Sequence, residues 1–548
     1  MAQKKRKLSY WERRNVDAEQ KINDDAIKVE EAVTKAYRQA QSYLTQKVRK
    51  LFARSQQRSG LSEDEAKGML NQTTPVEELA ELRNLSKQIK DPELQAAAKN
   101  RLQTLAFRER ITRAEDLKAK SFLVSKQVAD VQLEKQTEFY VDAIHESYRE
   151  ATAESVIRKA QENAKNGVVI EVWNKKDYQF KELSTRYTKN ILDSHWHGSN
   201  YSKRIWEDTE ALASRLEELF TVESMTGMSE FEMAKSIASE FDRSIGVARR
   251  LIRTEANYMA NQAKLKAWQD SDIKYYMLVA VLDLRTSEIC RGKDHKVYLV
   301  SEAVVNGADG NYPPFHPWCR TIAVMYSKRT LELPRKSLDP ISGKIIPITG
   351  KTTYDDWMNK LKENYSNDEI ELQKKKIKNV TKDNSDYKRL KEVLGDGNSP
   401  KSLDEYQTIK YNDGEDWEQI KLKYNMQKLI DKGSLSLEIN QDKQSPHDFY
   451  SPKYAEYVKI NFSKGKPTPS YFVTDKDTLQ KIINDNYLNG RVTRRNSSQY
   501  ASEIELNDID LGIAYDKNGM NPVATNRFKI HISKQRTHIV PMYPKEGS

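Results

Sequence analysis

Two sets of side chains in this 548-residue sequence have the types and spacing to do chemistry. The first lies in the last quarter, which holds His447, His531 and His538, three of the chain's eight histidines. In Arg527-Phe528-Lys529-Ile530-His531-Ile532-Ser533, strand alternation puts Phe528, Ile530 and Ile532 on one sheet face. Arg527, Lys529, His531 and Ser533 then share the other, and Thr525 joins them if the strand starts that early. Lys534, Arg536 and His538 follow across a tight turn, and Gln444-Ser445-Pro446-His447 supplies the third imidazole. Such a set suits cleavage of RNA by its own 2′-hydroxyl. One imidazole or carboxylate takes the 2′ proton, a second acid protonates the leaving 5′ oxygen, and Lys or Arg stabilises the phosphorane charge. His447, Lys534, His538 and Thr525 are the candidate catalytic residues, and Arg527, Lys529 and His531 the candidate phosphate contacts. The plainer reading makes the histidines solvent-facing or satisfied strand residues and Thr525 an ordinary strand threonine.

The second set is Cys290, His316 and Cys319, which includes both cysteines of the chain. Pro313, Pro314 and Pro317 exclude helix around His316, because each fixes its own φ and restricts the residue before it. Three readings stay open: reduced core residues, a structural zinc site, or a disulfide. Zinc takes four tetrahedral ligands, commonly thiolate and imidazole; these residues give three, with Asp294, His295 or Asp283 as candidate fourth. A disulfide is disfavoured in a reducing cytosol and compatible with an oxidising setting.

Both sets carry a family resemblance. Arg253-Thr254-Glu255-Ala256-Asn257, then Asp283-x-Arg285-Thr286-x-x-x-Cys290, then Pro313-Pro314-x-His316-Pro317-x-Cys319-Arg320 resembles the phage Mu F-like minor head proteins over roughly residues 190 to 330. This family often carries two further cysteines, where Ser287 and Thr321 stand here. Lys443-Gln444-x-x-His447, with Ile-His-Ile-Ser-Lys534 and Thr537-His538-Ile539-Val540-Pro541, resembles the polymorphic toxin type 50 family over roughly residues 430 to 548. That resemblance implies an RNase toxin domain carried as C-terminal cargo of Mu F-like phage proteins.

The elements that must hold these residues fall into blocks. From about Asn15 to Phe52, apolar residues recur at the spacing of one long helix face. Ser62 with Glu65, and Thr74 before Pro75 with Glu77, predict capped helix starts, and Asp91-Pro92 predicts another. The helical pattern runs on to about Lys165, and basic faces along it read as solvated surface. Val168 to Trp173 reads as one short strand, followed by a helix from Phe180 to Trp196. Ser229 with Glu232 opens a helix through Phe241, and a second helix runs from Val247 to Ala263. Arg253, Glu255, Asn257 and Asn261 on it read as salt bridges and caps, with a nucleotide or polyanion site as the alternative. After Lys328, Pro and Gly and the charge run Glu369 to Lys382 read as a linker. Period-two runs at Leu435–Ile439, Tyr471–Thr474, Ile504–Leu506, Gly512–Tyr515, Phe528–Ser533 and His538–Tyr543 predict strands, around a helix Lys476–Tyr487 capped by Asp475.

The expected fold class is multidomain: an α-helical N-terminal half (1–190), a mixed α+β Mu F-like module (191–330), a linker with small helices (331–428), and a small α+β toxin-like domain (429–548). Hydrophobic content of 37% with 31% charged residues fits soluble globular units. A net charge of +11 favours an acidic neighbour, whether nucleic acid or protein. There is no run of apolar residues long enough for a membrane span, and no apolar segment after Lys4-Lys5-Arg6-Lys7, so no signal peptide is expected.

The resulting expectation is a phage minor head protein, placed inside the capsid at the portal and active in head morphogenesis and DNA packaging. Its cargo is an RNase effector that acts in the host cytoplasm. Its partners are the portal protein, capsid, phage DNA, an RNA substrate and an immunity protein; structural zinc is the one cofactor in view. Two alternatives stand beside it. One is a purely structural head protein whose last domain binds DNA or a partner. The other is an ADP-ribosyltransferase using Glu503-Ile504-Glu505, a pair that also reads as solvent-facing glutamates on an alternating strand.

Overall fold

A computed structural model of the chain describes residues 10–53, 60–106, 111–165, 182–326, 331, 334–412, 414–506, 511–516 and 518–544. The expected strand at 168–173 and the start of the helix expected from Phe180 lie outside these residues. The chain forms two compact units, Met1–Leu361 and Lys362–Ser548.

The first unit is built on long helices: α1 (Tyr10–Phe52), α2 (Glu63–Leu70), α3 (Val76–Lys87), α4 (Pro92–Ala106), α5 (Arg113–Lys165), α6 (Thr185–Leu192), α7 (Tyr201–Leu219), α8 (Val222–Met225) and α9 (Glu230–Asp270). α5 packs against α1, α7 and α9, and Val33, Leu44, Leu123, Ile144, Leu212, Ile237 and Ile252 meet in one apolar core. Capping boxes at Ser62/Glu65 and Ser229/Glu232 start α2 and α9 as their sequences predict, each serving two otherwise orphaned backbone N–H groups. Asp91 Oδ1 likewise accepts from the N–H groups of Glu93 and Leu94 at the start of α4. At α3 the expected cap is absent: Pro75 holds the N-cap position and no side chain bonds there.

The two helices expected on either side of residue 245 are one helix, α9. Ile237, Phe241, Ile245, Ala248, Leu251 and Ile252 keep a single buried stripe across Gly246, and burial of that stripe outweighs the glycine's cost of about 1 kcal/mol. The polar set on α9 serves packing. Glu255 is fully buried, pairs with Arg204 and accepts from Trp196 Nε1 at 2.9 Å; Arg253 pairs with Glu30; Asn261 bonds the Asn257 carbonyl at 2.8 Å.

Beyond α9, β1 (Tyr275–Val279) is the middle strand of an antiparallel sheet with β2 (Val297–Leu299) and β3 (Ile322–Met325). A short helix, α10 (Glu288–Lys293), lies between β1 and β2. The β4 (Pro334–Leu338) and β5 (Ile345–Thr349) hairpin and α11 (Tyr354–Asn364) follow.

In the second unit the charge run expected as linker lies in a 28-residue helix, α12 (Asn367–Leu394), opened by a Ser366/Glu369 capping box. It packs with α13 (Leu403–Asn412) and α14 (Glu415–Asp431). Asp383 is fully buried between them and accepts from Lys410, Tyr411 and Gln407.

The remainder is α15 (Gln441–Gln444), α16 (Pro452–Ser463), β6 (Tyr471–Phe472), α17 (Lys476–Asn486), β7 (Arg491–Asn496), β8 (Gln499–Glu505), β9 (Gly512–Ala514), β10 (Val523–Thr525), β11 (Arg527–Ser533) and β12 (His538–Pro541). Four of these strands form an antiparallel sheet in the order β12-β11-β8-β7, and three form another, β10-β9-β6. Phe528, Ile530, Ile532, Ile504, Val492 and Ile539 join Leu479 and Ile483 of α17 in a core that also takes Leu390, Tyr406 and Met426 from α12–α14.

The strand expected at Leu435–Ile439 is not one, apart from a single bridge between Ser436 and Ser533. Its backbone is taken by side chains instead: Gln480 accepts from Ile439 N–H at 2.8 Å and donates to Leu437 O at 2.9 Å.

Candidate functional site

Register decides what shares the polar face of the four-stranded sheet. His531 stands opposite His538 on β12 and Ala501 on β8; Lys529 stands opposite Val540 and Glu503. The His531 and His538 rings are stacked, 4.7 Å between centroids and 17° apart in plane. His447 adds a third layer, 6.1 Å from His538 and nearly parallel to it.

His447 comes from the other end of the domain, in a 3-10 turn after α15, and Gln444 fixes that turn. Its buried amide donates to the Ile539 carbonyl at 3.1 Å and accepts from the Ile539 N–H at 2.9 Å, as a neighbouring strand would. Asn440 caps α15 and its N–H bonds the Thr537 carbonyl at 2.8 Å.

The ring nitrogens are oriented by carbonyls. His447 Nδ1 lies 2.9 Å from Ser470 O and His538 Nδ1 lies 2.8 Å from Arg536 O. Each Nδ1 therefore carries the hydrogen, and each Nε2 presents a lone pair. Burial lowers the pKa of all three imidazoles. His531 is pushed down to about 4, with His538, Lys529 and Arg495 adding positive charge around it. For His447 burial dominates, opposed by the Ser470 carbonyl and reinforced by His538; for His538 the Arg536 carbonyl opposes burial and Lys443 reinforces it.

The other candidates are placed differently. Lys529 pairs with Glu503 at 2.9 Å, and Arg527 is buried, donating to the Tyr543 carbonyl at 3.0 Å and standing 3.7 Å from Glu505. Glu503 and Glu505 are thus partners of the basic residues, and Lys529 holds the Glu503 carboxyl below its usual range. Lys534 is exposed in the turn after β11. Thr525 does not join the set: β10 ends there, in the other sheet, and its buried hydroxyl donates to Met542 O at 2.8 Å.

Sequence reasoning missed Tyr457, whose ring meets His447 edge-on at 6.2 Å. The signal was Ser451-Pro452: Ser451 caps α16 and Pro452 fills its first turn.

In the first unit Cys290, His316 and Cys319 converge, their candidate ligand atoms all lying within 4.8 Å of one another. Ser287 caps α10 and accepts from Cys290 N–H, which sets Cys290 at the helix start. His316 Nε2 is 3.0 Å from Cys290 Sγ and 2.8 Å from Ser287 Oγ, and Sγ of Cys319 is 3.8 Å from Sγ of Cys290. His316 Nδ1 donates to the Pro317 carbonyl at 2.7 Å, which leaves Nε2 as the ligand atom.

Hydrogen bonds from Cys319, His316 and Ser287 hold the Cys290 thiol down to about 4, while the thiolate beside them raises His316 and Cys319. Ser287 accepts from the Cys290 N–H, and the Thr321 hydroxyl is buried with no hydrogen-bond partner. Two thiols and one pinned imidazole could hold a metal ion as three of its ligands. Both cysteines are free thiols here. The candidate fourth ligands are engaged elsewhere: Asp283 pairs with Arg320 at 2.5 Å, Asp294 with Arg335 at 3.0 Å, and His295 Nε2 lies 3.2 Å from Arg335.

Residues 216–324 match the family model described as Phage Mu protein F like protein, the stretch that holds α9 and the Cys-His-Cys group. Residues 439–541 match Bacterial toxin 50, so the histidine stack lies inside a toxin-like domain. No curated protein and no solved structure gives a significant match to the chain. The chain therefore joins a Mu F-like module to a toxin-like domain on one polypeptide, and no helix of the described residues is long and apolar enough to cross a membrane.

Proposed function

We propose that this chain is a phage minor head protein, docked at the portal in the virion, that carries a metal-independent RNase effector as its second unit. The Mu F-like match supports the head role and the toxin match the effector role. The observation that carries the chemistry is the stack of His447, His538 and His531, assembled from both ends of the domain.

His447 and His538 serve as the acid–base pair, each aimed by a carbonyl at Nδ1 and each offering Nε2. Two adjacent imidazolium ions repel, so the stack takes protons one at a time, leaving one ring as acid and another as base. Lys529 supplies positive charge on the same face. Zinc on Cys290, His316 and Cys319 would fasten the loop of Pro313–Cys319 to α10, a structural role apart from the cleavage. An immunity protein is the expected partner of the histidine face, and DNA is a further partner for a chain of this charge.

The test uses the full chain with RNA and chelator. Cleavage should persist without metal, leave DNA intact because the 2′-hydroxyl is the nucleophile, and disappear in His447→Ala and His538→Ala. Full cleavage by both variants would refute the assignment. Labelling of any protein from NAD, lost in Glu505→Ala, would favour the transferase instead.

A further inference from the structure

Six of the seventeen exposed large apolar side chains among the described residues fall within residues 449–473, around His447 and α16. Tyr450 is 75% exposed, Phe449 48% and Tyr457 36%. Aromatic surface left in water at this density marks a binding site. The rings are also ordered. Phe449 packs on Tyr471 at 4.8 Å, on Tyr450 at 5.5 Å and on the buried Tyr454 at 6.0 Å, and Tyr457 stands edge-on to His447.

Lysines follow the rings in the sequence, while Lys453, between Tyr450 and Tyr457, is paired with Asp442 at 2.6 Å. Lys459, Lys464 and Lys466 are exposed, with no carboxylate at ion-pair distance among the described residues, and Lys443 is close enough to His538 to act on its charge. Protein interfaces deplete lysine at their cores. Exposed aromatic rings followed by unpaired lysines instead suit a single nucleic-acid strand, whose bases stack while its phosphates are neutralised.

We propose that Phe449, Tyr450 and Tyr457 form a base-stacking subsite for unpaired RNA, placed so that a phosphate beside the stacked bases reaches the His447–His538 pair. This rests on the RNase reading of the same histidines. A duplex is excluded from the subsite, because its base faces are already covered by their neighbours. Single-stranded DNA enters it, since every base has a π-face, and leaves uncut for want of the 2′-hydroxyl.

That uncut strand is the probe. A short single-stranded DNA carrying 2-aminopurine is titrated with the full chain, with Tyr450→Ala/Tyr457→Ala and with Tyr450→Phe/Tyr457→Phe, beside a matched duplex and an RNA cleavage assay. The parent should bind the strand and change the base fluorescence. The alanine variant should bind at least about tenfold more weakly. The phenylalanine variant should behave as the parent, and all three should bind duplex equally. Unchanged strand binding by the alanine variant would overturn the subsite and leave the patch to a protein partner; so would an equal loss for duplex. The two readings separate cleanly. Ring-dependent strand binding with no RNA cleavage removes the chemistry and keeps the subsite, and cleavage with ring-independent binding does the reverse.

Discussion

The two clusters use the same residue type to opposite ends. In the Mu F-like module His316 turns its Nε2 toward two sulfurs, and the donors converge on a volume one ion could fill. In the toxin-like domain three imidazoles lie face to face, so their nitrogens point along parallel planes and do not meet. Convergence suits a ligand sphere, whereas stacking suits stepwise protonation, because each ring discourages its neighbour's charge. What separates the two is backbone placement: a helix start and a proline-bounded loop in one, two paired strands and a glutamine-pinned turn in the other.

The comparison breaks first, and most heavily, at His538. His538→Ala should lower RNA cleavage by roughly 10²–10⁴-fold while leaving the metal content of the first unit unchanged. Cys290→Ala should do the reverse, taking bound zinc from about one equivalent per chain to none, since two ligands cannot complete a tetrahedral site. Metal analysis and cleavage rates on both variants decide this; metal-free parent protein with unchanged stability under chelation would remove the ligand-sphere reading.

A smaller effect belongs to Gln444→Leu. It strips the partners from the Ile539 N–H and C=O, at a cost of about 1–3 kcal/mol for each group left unsatisfied in the interior, and it loosens the turn that carries His447. Denaturation midpoint and cleavage rate should fall together; a rate unchanged despite lost stability would show that His447 needs no such support.

The pH dependence sharpens the contrast further. Because burial lowers His447 and His538, the acid form disappears below the usual imidazole range, and cleavage should peak below pH 6.5 and decline above it. An optimum at pH 8 would contradict that. For stability the sign is also fixed. Histidines with depressed folded pKa values bind fewer protons than in the unfolded chain. Their contribution is therefore complete above pH 6.5 and lost progressively as pH falls through His531's value of about 4. Thr321→Cys should give the smallest change, a tighter hold on zinc measurable by chelator competition, because it supplies a further thiolate where the hydroxyl now stands.

Where a local signal decides the outcome, the sequence was readable. The Ser62, Ser229 and Asp475 caps are made within one turn of helix, and alternation alone sorts Phe528, Ile530 and Ile532 inward on β11. Where a distant side chain decides it, the pattern misled: Leu435–Ile439 alternates like a strand, yet Gln480 takes its hydrogen bonds. β7 was invisible for a different reason, since Arg491, Arg494 and Arg495 leave Val492 as its one buried residue. At the candidate site His447, Lys534 and His538 were expected to be brought together from the two ends of the domain; His447 and His538 stack, while Lys534 stands exposed in the turn after β11. The stacked geometry, the carbonyls on each Nδ1 and the burial of Thr525 depend on register, which composition does not carry.

Gln444 has a counterpart. On the opposite side of the same sheet Gln419 of α14 accepts from the Val492 N–H at 2.8 Å and donates to its carbonyl at 3.0 Å. Each outer strand, β12 and β7, thus meets a glutamine amide that imitates one residue of a further strand. Open strand edges recruit other chains into aggregates, and here one residue on each rim, Val492 near the start of β7 and Ile539 near the start of β12, is taken by the protein's own glutamines. The guard on β7 comes from a helix outside the segment that matches the toxin family, so a fragment cut at that match would lose the glutamine that takes Val492 on that rim.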